Sequence, residues 1–262
     1  MSEHPSNPAI PAATILLLRQ TAAGIQVFMV VRHHQIDFAS GALVFPGGKV
    51  DEPDFSEQLL PFLDGAHEDA NMRAIQVSAI REAFEECGVL LARQHGQLID
   101  GDTLAGWQEF RSALNDGSLA LLDFLKQHQL TLACDLLLHF AHWITPQMMP
   151  KRFDTHFYVA MAPADHLAVH DGYESVDSVW IAPEQAVAEA HNGKRTIIFP
   201  TLRNLEKLAE FDSIEAVTTY CAQHSVVPVL PWTEQREEGN FVCIPTDAGY
   251  AVTEERIPDR AS

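Results

Sequence analysis

Basic residues are scarce in this chain of 262 residues: 17 lysines and arginines stand against 36 aspartates and glutamates, for a formal net charge of −19. A surface of that sign repels phosphate backbones and anionic lipid headgroups at long range, so neither nucleic acid nor a membrane is an expected partner. An acidic protein still binds an anionic small molecule when divalent cations stand between the two, because the cation is then the largest local charge. Cysteine is scarce too. Cys87, Cys134, Cys221 and Cys243 form no C-x-x-C pair and no zinc-like spacing, and a chain of this length needs no disulfide frame. Reduced thiols and a cytoplasmic location are therefore expected. Long apolar runs are missing: Asp135 breaks the stretch from Leu132 to Leu138, far short of the roughly 18 apolar residues of a membrane-spanning helix. The first residues carry no basic segment ahead of their short apolar stretch, unlike a signal peptide, and the final Arg260-Ala261-Ser262 matches no targeting tripeptide.

What is present, 47% hydrophobic and 20% charged residues, suffices for one sizeable core, and a single elaborated domain is expected over 1–262. Thr14 to Leu18 and Gln26 to Val31 read as a hairpin across Thr21 to Gly24, and the run Ala42 to Phe45 stops at Pro46-Gly47-Gly48. Asp51 to Asn71 lacks a period and reads as a loop with a short helix. From Met72 to Arg93, Val77, Ile80, Phe84, Cys87 and Leu91 recur at helical spacing, the strongest helix signal in the chain. Thr103 to Leu114 and Leu119 to Gln127 read as an inserted helix pair, broken at Asn115-Asp116-Gly117. Strands follow at Leu136 to Ile144, Phe153 to Met161 and Val176 to Ile181, then a helix from Pro183 to Ala190. A helical extension is expected over about 200–262, with helices Pro200 to Phe211 and Ser213 to Gln223 and a late strand Phe241 to Ile244. Strands and helices alternate without a regular βαβ cadence, which favours an α/β/α sandwich around a mixed sheet.

The chemistry should lie in Arg81-Glu82-Ala83-Phe84-Glu85-Glu86-Cys87-Gly88-Val89. On a helix, positions three and four apart are neighbours, so Glu82, Glu85 and Glu86 share one face opposite the apolar stripe. Like charges so placed cost a few tenths of a kcal/mol per pair unless a cation bridges them. A solvated charged face is one reading; an oxygen-ligand site for Mg2+ or Mn2+ is the other. Phe45-Pro46-Gly47-Gly48 at a strand end favours the second, because glycines let backbone groups approach a metal or a phosphate.

Together the two halves resemble the box of the Nudix hydrolases, in which a glycine, five residues, a glutamate and seven residues precede R-E-U-x-E-E-x-G-U, with U apolar. Gly48 matches the opening glycine, and Arg81, Glu82, Glu85, Glu86, Gly88 and Val89 match the closing half, with Ala83 at the first apolar position. Two departures stand out. Asp54 occupies the place of the glutamate, and 26 residues separate it from Arg81 where the family has seven, an insertion of 19. An interrupted box of this kind is similar to the branch containing the peroxisomal coenzyme A diphosphatases. His142-Trp143-Ile144-Thr145-Pro146, followed by Arg152-Phe153-Asp154-Thr155-His156-Phe157, and Pro200-Thr201-Leu202 at a helix start also resemble that branch.

The resemblance implies a single Nudix domain with its core over about 12–211, insertions near 54–71 and 103–128, and hydrolysis of a nucleoside diphosphate linked to another moiety. It makes Glu82, Glu85, Glu86 and the Gly48 carbonyl metal ligands, Arg81 the residue that orients them, and Glu174 a general base from a later loop. Gly47 and Gly48 would meet the substrate. Arg152, and by charge type Arg32, would bind phosphate. Coenzyme A or acyl-coenzyme A leads among substrates; ADP-ribose, NADH and nucleotide sugars remain open, as does a Nudix module that senses a nucleotide without cutting it. Self-association into a homodimer is compatible with all of these. The histidine pairs His139/His142 and His166/His170 lack a third ligand at a fitting distance in sequence and are not read as metal sites. Trp107, Trp143, Trp180 and Trp232 read as packing.

Overall fold

Strand β1, Ile10–Thr21, sends alternate side chains into two cores, Ala13, Ile15 and Leu17 to one and Leu16 and Leu18 to the other. The computed structural model, which describes residues 7–32, 41–166, 168 and 175–257, builds outward from this strand. β1 turns into β2, Gly24–Arg32, and the chain then contributes β3, Leu43–Val44, and β4, Gly47–Lys49. Two 3-10 turns, Glu52–Phe55 and Glu57–Phe62, and the short β5, Leu63–Asp64, lead to helix α1, Ala70–Cys87. After it come β6, Ala92–Gln94, β7, Gln97–Leu98, and three short helices: α2, Gly101–Ala105, α3, Glu109–Asn115, and α4, Leu121–His128. β8, Leu130–Ala133, β9, Leu138–Ile144, β10, Phe153–Met161, and β11, Ser175–Ile181, follow. Helices α5, Pro183–His191, α6, Phe199–Leu208, and α7, Ile214–Gln223, precede the terminal strands β12, Pro228–Val229, β13, Trp232–Arg236, β14, Gly239–Cys243, and β15, Glu254–Arg256.

The main sheet is mixed: β11-β2-β1-β10-β9-β12, with β3 beside β2 and β4 beside β1. β1 and β10 run parallel, whereas the β1–β2, β1–β4 and β10–β9 pairs are antiparallel. One face packs on α1 and on α2 to α4, through Ile80, Phe84, Leu104, Leu114 and Phe124; the other packs on α5 to α7, through Ala186, Leu205 and Val217. This is the α/β/α sandwich that the alternation of elements implies. No helix among the described residues is long and apolar enough to cross a membrane.

Several elements differ from the sequence reading. α1 stops at Cys87, not Arg93, because Gly88 adopts φ 70° and the Val89 and Gly88 N–H groups turn back to the Ala83 and Phe84 carbonyls at 3.2 and 2.8 Å. Leu90 and Leu91, which continue the helical period, are buried beyond that cap. The helical extension expected over 200–262 is helical only to Gln223: Pro228 and Pro231 remove donors, and the turn Glu237-Glu238, followed by Gly239 at φ 127°, joins β13 to β14. The inserted pair over 103–128 is three helices, starting at Asp100, whose side chain accepts the Thr103 N–H.

The Gly88→Ala variant should lose at least about 1 kcal/mol of stability in urea unfolding, since a left-handed φ is costly for any residue with a Cβ. The added methyl meets only the flexible ends of Gln108 and Arg111, at 2.7 and 3.0 Å, so the backbone conformation sets the penalty.

Candidate active site

α1 is buried along nearly its whole length. From Ala74 to Cys87 every residue is buried except the half-buried Glu82, so the expected outward charged face is covered. β4, the turn Glu52–Phe55 and α3 pack against it. The glutamates are therefore largely shielded from water, and charge so placed is expensive unless compensated.

Arg81 organises this cluster. Its Nε and Nη2 donate to Asp54 Oδ1 and Oδ2 at 3.1 and 3.0 Å, a two-pronged pair that is buried on both sides. Its Nη1 donates to Glu82 Oε1 at 2.9 Å and to Glu85 Oε2 at 3.0 Å. Nη2 also reaches the Lys49 carbonyl at 3.0 Å, to which Ser78 Oγ donates as well. Asp54 is held in turn by the Asp51 N–H, at 3.0 Å from Oδ2. The aspartate that replaces the box glutamate thus remains tied to the box arginine despite the inserted residues.

The glycine strand closes the other side. The Gly47 N–H donates to Glu86 Oε2 at 3.0 Å. A Cβ on Gly48 would collide with the Glu82 carboxylate, so only glycine permits β4 to lie this close to α1. Arg81, Glu82, Glu85, Glu86, Gly47 and Gly48 are thereby brought together, as the spacing suggests. Arg152 is placed differently: its Nε and Nη1 donate to the Thr145 and Asn7 carbonyls at 3.0 and 2.6 Å, clamping the β9–β10 connection to the chain before β1. Glu174 and the Arg32 side chain lie outside the described residues.

The electrostatics are lopsided. Asp51, Asp54, Glu82 and Glu85 all lie within ion-pair distance of Arg81. Burial opposes the Arg81 charge, yet Glu82, Asp54 and Glu85 outweigh it and hold the guanidinium above its ordinary pKa. Burial raises Asp54, and pushes Glu85 up to about 7 against the pull of Arg81, with the Glu82 charge adding to the rise. Glu85 Oε1 is buried without a hydrogen-bond partner. An orphaned carboxylate oxygen in a surplus of negative charge, lined by oxygen donors, fits a hard divalent cation.

Sequence reasoning missed two contributors. Arg111, on the helical insertion, donates from Nε to the Glu85 carbonyl at 3.2 Å, and Phe124 stacks on Phe84 at 5.7 Å, so the insertion braces the end of α1 that carries the glutamates. No local motif marks either residue. The tryptophans pack largely as expected: Trp143 Nε1 donates to Tyr250 at 2.8 Å, Trp107 meets Phe124 edge-on, and Trp180 lies against Phe28, whereas Trp232 is exposed.

Comparison with known proteins agrees with this geometry. The model of the NUDT19 Nudix domain matches residues 70–208. The putative nudix hydrolase 7 of Caenorhabditis elegans is 30% identical over 254 residues, covering 91% of this chain and 74% of that protein. The acyl-coenzyme A diphosphatase NUDT19 of Homo sapiens is 23% identical over 253 residues, covering 80% and 68%. Among solved structures, a NUDIX hydrolase from Alicyclobacillus acidocaldarius is similar with TM-score 0.66 and 27% identity, covering 81% of this chain and 96% of that one.

A carboxyl group whose pKa is raised on folding binds its proton more tightly in the native state, so stability falls as pH rises. In chelator, stability should therefore decline as pH climbs from about 4.5 towards about 7, the range over which Glu85 ionises. Chemical denaturation across that range should show a flatter profile in Glu85→Gln, and added Mg2+ should restore the wild-type protein at the upper end. An identical profile in the variant would remove Glu85 as the cause.

Proposed function

Because the chain belongs to the Nudix hydrolases, pyrophosphohydrolases by family, we propose that it cleaves the diphosphate bond of coenzyme A or an acyl-coenzyme A. The cofactor in this reading is Mg2+ or Mn2+, held by Glu82, Glu85, Glu86 and the Gly48 carbonyl. The observation that carries it is the seating of β4 against α1, where the Gly47 N–H meets Glu86 and Gly48 lies on the Glu82 carboxylate. Such a cation, when bound, neutralises phosphoryl oxygens and stabilises the charge that develops in the transition state.

The chain's own residues do the positioning. Arg81, fixed by Asp54, holds Glu82 and Glu85 in place. Glu86 keeps its orientation through the Gly47 N–H, and the open backbone at Gly47 and Gly48 lets the diphosphate approach closely. A water attacks one phosphorus, the bridging P–O bond breaks, and the water's proton passes to a carboxylate of the trio or to Glu174. Coenzyme A would yield adenosine 3′,5′-bisphosphate and phosphopantetheine. The choice of substrate is supported by the relatives described as acyl-coenzyme A diphosphatases and by the W-x-T-P and R-F-D-T-x-F stretches. Four cysteines with no C-x-x-C pair and no zinc-like spacing support a reducing, cytoplasmic setting.

The test is a panel of coenzyme A, acyl-coenzyme A, ADP-ribose, NADH and a nucleotide sugar, assayed with Mg2+, with Mn2+ and with chelator. Adenosine 3′,5′-bisphosphate should be released only when metal is present, and Glu86→Gln should lower kcat by on the order of 100-fold or more with the fold intact. AMP from ADP-ribose or NADH, with coenzyme A left whole, would move the substrate elsewhere. Normal turnover by Glu86→Gln would overturn the ligand assignment.

A further inference from the structure

A second cluster of metal-type side chains stands on the main sheet, away from the glutamates. His142 on β9 and His156 on β10 are directly opposed across the antiparallel pair, with ring centroids 3.9 Å apart. Asp154, two residues before His156, shares its side of the strand. His142 Nε2 is hydrogen-bonded to Asp154 Oδ1, and His156 Nε2 lies 4.0 Å from the same oxygen. The ligand atoms of these three residues all fall within 4.8 Å of one another, the one such group among the described residues.

A histidine–aspartate pair alone explains two of the three. It does not explain why His156 aims Nε2 at the same oxygen while its Nδ1 is engaged on the far side by His139 Nε2, at 3.0 Å. That arrangement, a ring held through one nitrogen so that the other is presented, is how proteins orient metal-binding histidines. The Asp154 side chain is 38% exposed, which leaves a route for an ion.

We propose that His142, Asp154 and His156 form a second metal site, which takes a borderline divalent transition ion such as Zn2+. Two imidazoles and one carboxylate suit such ions, whereas Mg2+ prefers all-oxygen surroundings. No glutamate oxygen belongs to this group. Gly48, Ala13, His156 and His142 lie in one row across β4, β1, β10 and β9. At about 4.8 Å per strand, the His156 backbone is therefore roughly 10 Å from that of Gly48, two strands away. Three protein ligands leave a position open for water or an anionic oxygen, on the same side of the sheet as α1.

The experiment strips the full chain with chelator, dialyses it against Zn2+ in excess Mg2+, and counts bound zinc by elemental analysis. Wild type should retain one Zn2+ per chain. His139→Ala, which removes only the positioning residue, should weaken binding by about 10- to 100-fold. His142→Ala and the isosteric Asp154→Asn should bind more weakly still, and Glu86→Gln should bind as wild type does. Melting of the metal-free Asp154→Asn protein at the wild-type temperature establishes that its loss is local. No zinc uptake by wild type, equal uptake by Asp154→Asn, or loss in Glu86→Gln alone would each overturn the proposal.

Discussion

The site depends on one buried contact, the two-pronged pair between Arg81 and Asp54. Each partner is desolvated, and removing either would strand the other, at a typical cost of about 3–5 kcal/mol. The pair also resolves how an interrupted box remains a box. Lengthening a flexible connection from seven to 26 residues raises the loop-closure cost by only roughly 1 kcal/mol. The residues between Asp54 and Arg81, among them the 3-10 turn Glu57–Phe62 and β5, fold without parting the ends of the contact.

The same contact sets the charge of the cluster. With Arg81 engaged by Asp54, its remaining donors are divided between Glu82 and Glu85, and the negative end of the α1 dipole lies in the turn that carries Glu85 and Glu86. Arg111 answers part of that by donating to the Glu85 carbonyl. The balance stays negative, and Glu85 Oε1 lies buried within it without a hydrogen-bond partner. The helical insertion thus has work at the site: it packs Phe124 and Arg111 over the glutamate end of the helix.

Much of this was legible in the sequence where it rests on periodicity or a short motif. The hairpin of β1 and β2, the helix through Arg81 and Glu86, and the meeting of that helix with Gly47 and Gly48 all follow from local pattern. The helix end was not, because Leu90 and Leu91 keep the helical period and only the backbone at Gly88 breaks it. Nor was the burial of the glutamates. Coverage by β4 and α3 is a tertiary fact, and the solvated face drawn from a helical wheel takes no account of it. The histidines illustrate the same limit. His139 and His142 show no third partner along the chain because His156 and Asp154 arrive from the neighbouring strand, and register across a sheet is invisible to spacing within one strand.

In the function proposed above, the carboxylates crowded around Arg81, with the glycine strand beside them, hold the cations that grip a diphosphate. Anomalous diffraction from crystals grown with Mn2+ and a non-hydrolysable diphosphate tests it most directly. Manganese peaks should stand in direct contact with Glu82, Glu85 or Glu86 and with the phosphoryl oxygens, beside Gly48. A bound diphosphate with no manganese at those glutamates, or manganese found only elsewhere on the protein, would contradict it.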